Sequence, residues 1–161
     1  TCDVAMHQLH LTDQLIDGFN SLAHVRPPLR SEQDKELLRQ GLKDGVIDAI
    51  TTHHEPLSSS AKMAPFAETL PGFTAFDTFV PFGLQLIHEG LFEPLQWVEK
   101  VTAAPARVAN MYARWVEEAG WALVDPALEW TVSKDSIVSN GKNTPLINQT
   151  VKGKVLKTFV A

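Results

Sequence analysis

An α/β chain that ends in a small β region is what this sequence predicts, and three observations carry the prediction. A capped helix signature from Ser31 to Asp44 runs directly into the β-branched stretch Val46 to Thr52. Helical spacing of apolar residues then dominates from Phe73 to Met111. Beyond Gly120 that spacing gives way to alternating and β-branched segments.

Each element has its own local reason. Asp3 to Leu11 carries Val4, Met6, Leu9 and Leu11 in an interrupted strand pattern, and Thr12-Asp13 offers a helix N-cap. Arg26-Pro27-Pro28-Leu29-Arg30 is expected to be extended, because each proline turns its predecessor away from the α region. Ser31 caps the clearest helix, with Asp34 three residues on, Leu37, Leu38 and Leu42 on one face, and Asp44-Gly45 as the stop. Val46 to Thr52 reads as a strand buried on both faces. The polar stretch from His53 to Ala61 is then a loop at that strand's carboxyl end, where barrels and doubly wound sheets hold their ligands.

Phe76, Phe79, Val80, Leu84, Ile87 and Leu91 predict an amphipathic helix, with Pro81 kinking it or marking its start. Two short proline-led helices follow, Pro94 to Val101 and Pro105 to Met111. Trp121 to Pro126, Glu129 to Val132 and Val151 to Val160 are the expected strands, with Asn140-Gly141 as a turn signal.

Composition narrows the function classes. The 161 residues are one domain's worth of chain, and 44 % apolar residues with a mean hydropathy of −0.07 argue for a folded protein. No apolar run approaches the roughly 18–20 residues of a membrane span, so no membrane partner is expected. The net charge is −5 and no Lys/Arg cluster occurs, which argues against a nucleic-acid partner. A single cysteine, Cys2, rules out an intrachain disulfide and fits a reducing, cytoplasmic setting. The start, without an initiator Met or a signal-peptide pattern, is expected to lie inside a longer polypeptide.

Six histidines are the candidates for chemistry. His7 and His10 are three apart, but at a strand end that spacing points them to opposite faces, so no metal pair is expected of them. His53-His54 sits at a strand's carboxyl end, where only one of two neighbours can turn inward; the competing reading is a pair of loop histidines bonded to backbone or water. Glu55 or Asp48 could orient an imidazole there. His24 and His88 are expected to have no special role, and the tryptophans to serve packing. A glycine-rich phosphate loop, a nucleophile elbow and an HExxH pair are all missing from the sequence.

Four blocks stand in unbroken order: Ala5-Met6-His7-Gln8-Leu9-His10-Leu11-Thr12-Asp13, Arg26-Pro27-Pro28-Leu29-Arg30, Ile47-Asp48-Ala49-Ile50-Thr51-Thr52-His53-His54-Glu55-Pro56 and Lys142-Asn143-Thr144-Pro145. They resemble Pro-His-His-Leu-x-Leu-Thr-Asp, Asn-Pro-Pro-Leu-Arg, Ile-Asp-x-Ile-Ala-Thr-Asp-His-Ala-Pro-His and Ser-Arg-Asn-Thr-Pro of the bacterial dihydroorotases, cyclic amidohydrolases of de novo pyrimidine synthesis. The resemblance is to the C-terminal part of that family and covers nearly the whole chain. It implies the last strands and helices of a distorted TIM barrel over residues 1–112, and over 113–161 the small β region of a side domain. It also implies a chain that begins at the seventh strand. Such a chain cannot close a barrel of about 250 residues alone, so a homo- or hetero-oligomer is expected.

The family interconverts N-carbamoyl-aspartate and dihydroorotate at a zinc centre. Its ligands, as the resemblance implies them, are a His-x-His, an acidic residue or carbamylated Lys, and two further histidines, all ahead of residue 1, plus the Asp of the strand-eight motif. That last position is His53 here, the candidate metal and catalytic position. The substrate-facing Asn becomes Arg26, and the final His of the motif becomes Leu57. Gln8 and Met6 replace the second His and the Pro of Pro-His-His, while His54 is retained. The strand-eight carboxylate binds metal and accepts a proton in an active enzyme, a task for an anion beside a dication.

Losing it together with the substrate contacts resembles the non-catalytic dihydroorotase-like proteins that associate with aspartate transcarbamoylase. The expectation is a degenerate site, with zinc weakly held or absent, in a structural partner of that enzyme. The alternative is an active zinc-dependent amidohydrolase, its metal held by His53, His54 and residues upstream.

Overall fold

β1 (Asp3–Ala5) and β2 (Ala49–Thr51) run parallel, with Asp3, Val4 and Ala5 opposite Ala49, Ile50 and Thr51. The connection between them carries α1 (Glu32–Lys43), the helical crossover that parallel neighbours require. The computed structural model describes residues 1–160, apart from the side chain of Trp115. After β2 come α2 (Phe76–His88), α3 (Pro94–Val101), α4 (Ala103–Val108) and α5 (Tyr112–Glu118). β3 (Trp121–Thr131) and β4 (Thr150–Phe159) then form a separate antiparallel pair. The mixture is α/β followed by a small β region, as the sequence predicts.

The best-specified element is α1. The Ser31 hydroxyl accepts from the Asp34 amide and the Asp34 carboxylate accepts from Ser31, so the full capping box forms. Gly45, at φ 75°, ends the helix in the left-handed conformation glycine tolerates best. Leu42 is buried and Leu38 packs beside it, but Leu37 is 63 % exposed and lies off the predicted face. The strand that follows is also shorter than predicted. Val46 and Ile47 both donate to the Gly41 carbonyl and finish the helix end, which leaves Val46 71 % exposed. The ladder begins only at Ala49.

The first strand ends early too. Met6 to Leu9 closes into a single 3₁₀ turn, with Met6, His7 and Leu9 buried, where the sequence suggested a strand to Leu11. α2 buries Thr78, Phe82 and Leu86, a row at i, i+4 that differs from the predicted stripe. The helix serves two neighbours. That row faces the core, Leu84 meets Gly153 of β4 so closely that a Cβ there would overlap it, and Trp97 of α3 sits directly over Gly83. Pro81 lies inside the helix rather than at its start.

Asn140-Gly141 is not the hairpin turn. β3 and β4 are joined by residues 132–149, which return to the β1/β2 side and bury Val132, Ile137 and Leu146 in the core with Val4, Leu9, Ile50, Phe73, Phe82 and Leu86. Gly141 is needed there because the backbone of Pro56 and Leu57 passes where a Cβ would stand. Asp125-Pro126 falls within β3, at a register shift where the Asp125 carboxylate accepts from the amides of Ala127 and Leu128.

Candidate functional site

Two residues past the carboxyl end of each parallel strand stands a histidine, and the two meet. His7 follows β1 within the 3₁₀ turn and His53 follows β2 on a left-handed backbone, φ 46°. Their ring centroids are 6.5 Å apart at 70°. His7 is 2 % exposed, and its ring stacks on Phe73 at 4.8 Å. Among the described residues neither Nδ1 nor Nε2 of His7 has a hydrogen-bond partner. Burial, and then the neighbouring His53, push its pKa down to about 4, so the ring is neutral with a free lone pair. His53 itself is exposed.

His10 completes the 3₁₀ segment. Both of its ring nitrogens are buried too, and the ring stacks on Phe82 at 4.3 Å. Its pKa falls to about 4 through burial, with Arg39 and Lys35 opposing a charge and Glu89 favouring one. His7 and His10 thus do not alternate across a strand as expected, because the chain has already turned. Their inward burial depends on tertiary packing, and only the spacing of three hinted at it.

His54 points elsewhere. Its Nδ1 accepts from the amides of Ala75 and Phe76 at 3.0 and 3.2 Å, and its ring lies flat on Phe76 at 3.9 Å. The imidazole therefore caps the start of α2, with the proton on Nε2 toward Ser139 at 3.4 Å. Burial lowers its pKa, partly offset by Asp77. His24 donates through Nδ1 to Thr69 Oγ1 at 2.8 Å, since that hydroxyl already donates to the Phe66 carbonyl. Arg26 is exposed, and the ring on which its charge acts is His24.

Leu57 faces a different space. Its amide donates to Asn143 Oδ1 at 2.6 Å, and its side chain lines a cavity of about 620 Å³. Of the sequence-predicted positions, then, the structure brings His53 to His7 and gives Arg26, His54 and Leu57 other surroundings.

Two imidazoles are what this part of the molecule offers a metal. His7 has the right donor chemistry, a buried neutral imidazole with unclaimed nitrogens, and His53 stands opposite it. Among the described residues no group of three or more His, Cys, Asp or Glu side chains is arranged to hold an ion. The pair fits a share of a metal site.

The fold is shared with solved proteins. The chain superposes on dihydropyrimidinase from Brevibacillus agri with a TM-score of 0.86 at 18 % identity, covering 98 % of this chain and 37 % of that one. It also superposes on dihydroorotase from Saccharomyces cerevisiae, solved with 5-fluoroorotic acid, with a TM-score of 0.73 at 17 % identity, covering 95 % of this chain and 42 % of that one. The fold is that of the C-terminal part of amidohydrolase TIM-barrel proteins.

In sequence the chain is similar to dihydroorotase and dihydroorotase-like relatives over 99 % of its length. It is 38 % identical to a dihydroorotase-like protein of Pseudomonas aeruginosa over 99 % of its length, and 34 % identical to a dihydroorotase of Trichlorobacter lovleyi over the same share. It spans 38 % of the length of each of those relatives. No family model matches the chain. Among the described residues no helix is long and apolar enough to cross a membrane.

Proposed function

We propose that this chain is the C-terminal part of a dihydroorotase-like protein of de novo pyrimidine biosynthesis. Its metal and substrate site is degenerate, and its role is that of a non-catalytic structural partner of aspartate transcarbamoylase in the cytoplasm. The observation that carries the reading is His53. At the carboxyl end of β2, where the resemblance calls for a carboxylate, the side chain is an exposed imidazole on a left-handed backbone. A neutral imidazole changes the charge of a metal site by one unit and removes the anion that would take up a proton. Leu57 cannot hydrogen-bond a carboxylate substrate, and His54 Nδ1 is already committed to two backbone amides.

A second reading has one specific observation behind it. His7, with both ring nitrogens unclaimed and His53 facing it, is poised as a ligand donor, which favours an active zinc-dependent amidohydrolase interconverting N-carbamoyl-aspartate and dihydroorotate. Zinc, when bound, would polarise the substrate carbonyl and activate water. His7 and His53 would hold it. Phe73 would fix the His7 ring and exclude water from its buried face.

Metal analysis and turnover of the intact protein decide between them. The scaffold reading expects no turnover of either substrate, less than about 0.1 zinc per chain, and co-elution with aspartate transcarbamoylase in size-exclusion chromatography. Stoichiometric zinc, with turnover abolished by His7→Ala, would establish the enzyme instead. The substitution His53→Asp alone is expected to leave the scaffold inert, because Arg26 and Leu57 remain.

A further inference from the structure

A second site, lined by cationic side chains, lies away from the histidine pair. Between the loop after β2 and the segment joining β3 to β4 lies the cavity of about 620 Å³, a volume typical of small-molecule sites. Lys62, Lys134 and Lys142 line it, and among the described residues no Asp or Glu does. In a chain of net charge −5 this gathers three of nine lysines around one space.

Two of those ammonium groups are held in place without being neutralised. Lys62 is only 7 % exposed and donates to the carbonyls of His24 at 3.0 Å and Leu70 at 2.8 Å. Lys142 donates to the Ile137 carbonyl. Neither forms an ion pair with a carboxylate among the described residues, and Glu55 acts on Lys62 only at longer range. Carbonyl oxygens orient an ammonium but leave its charge uncompensated, and buried charges are as a rule paired. Each ammonium has three donors, so Lys62 keeps one and Lys142 two for another acceptor. Lys134 is exposed and closes the rim. Apolar wall comes from Leu22, Leu57 and Ile147.

We propose that this cavity binds a small amphipathic anion of the phosphate-monoester class. The phosphate lies among the three ammonium groups, where its two charges and acceptor oxygens complete their unfilled bonds, and an apolar ring rests on Leu22, Leu57 and Ile147. The leucine at position 57 thereby has a use as wall.

Isothermal titration of the intact protein with phenyl phosphate, inorganic phosphate and phenol tests this. Phenyl phosphate is expected to bind saturably at one site per chain, inorganic phosphate at least tenfold more weakly, and phenol not at all. Lys134→Glu, at an exposed position that leaves the fold intact, should weaken phenyl phosphate at least tenfold, and Lys134→Gln by less. Absence of saturable phenyl phosphate binding would overturn the proposal. So would equal binding of inorganic phosphate, or affinity unchanged in Lys134→Glu.

Discussion

The two pairs of strands in this molecule are stabilised in opposite ways. β1 and β2 contribute three residues each, yet Val4, Ala5, Ala49 and Ile50 are all buried and the core assembles around them. β3 and β4 contribute 11 and 10 residues, and nearly all their side chains remain accessible. The long pair is secured at one end only. Trp130 and Val151 pack on the core, Trp130 Nε1 donates to the Gly153 carbonyl at 2.9 Å, and Gly153 receives Leu84. Its other end holds itself together by a cross-strand stack of Trp121 on Phe159 at 3.6 Å. Strand length thus measures ladder, while burial decides stability and where a rigid site can stand.

That contrast predicts its largest effect at Phe73. Phe73 is fully buried beneath the β1/β2 ends and stacks on His7. Phe73→Ala should cost about 3–5 kcal/mol in urea unfolding, through lost burial and the cavity left behind. Phe73→Leu should cost less than half as much. Equal losses in the two variants would show that the site end collapses easily and is not the rigid half of the molecule.

The next effect is of the order of 3 kcal/mol and depends on pH. His10 titrates near 4 in the folded chain against 6.5 when exposed, so the unfolded chain binds the extra proton between those values. Its neutral form is favoured on folding; that stability is complete above about pH 6.5 and is lost as pH falls toward 4. Lys35 and Arg39 oppose a charge on it, and Glu89, ion-paired to Arg39 at 2.9 Å, favours one. Urea midpoints measured from pH 7.5 to 4 should fall, and His10→Phe should flatten the curve by about one proton. An unchanged slope in that variant would mean the ring is hydrated in the folded state.

How much of this was legible in the sequence follows from how local each cause is. The capping box of α1 needs only Ser31, Asp34 and the backbone between them, so it appears as read. The β region beyond Gly120 was equally visible, because alternation over ten residues has few other outcomes. The exposed row of α1 and the buried row of α2 were misjudged where a helix serves more than one neighbour, and periodicity cannot say which neighbour wins. Asn140-Gly141 carried a true glycine requirement, but its cause is the passing backbone of Pro56 and Leu57, some 85 residues away in sequence. His7 was missed for the same reason: its partnerless burial arises only when Phe73 and β2 arrive.

Asn143 joins the two regions and sets the intermediate effect. Its Oδ1 accepts from the Leu57 amide at 2.6 Å and from Thr74 Oγ1 at 2.7 Å, and its Nδ2 donates to the Glu55 carbonyl at 2.9 Å. Asn143→Leu would strand the Leu57 amide and the Glu55 carbonyl, while Thr74 Oγ1 keeps the Gly141 carbonyl at 3.0 Å, and should cost about 2 kcal/mol. Amide hydrogen exchange would locate the damage. Faster exchange at Leu57 with β3/β4 protection unchanged is expected, and loss of β3/β4 protection would mean that the hairpin leans on this link.

The smallest effect belongs to the free end of the hairpin. Leu156 on β4 is 55 % exposed and lies at the register shift opposite Leu123 and Val124 of β3. Leu156→Thr exchanges an exposed apolar side chain for a β-branched one suited to a strand, so propensity and lost contact nearly cancel and the change should stay within about 0.5 kcal/mol. Measured beside Phe73→Ala, it fixes the range of the contrast between the two strand pairs. A loss comparable to that of Phe73→Ala would mean the outer hairpin is covered in solution, by more of the polypeptide or by a second molecule. Concentration-dependent unfolding midpoints would then identify the second molecule as the cover, because only association depends on protein concentration.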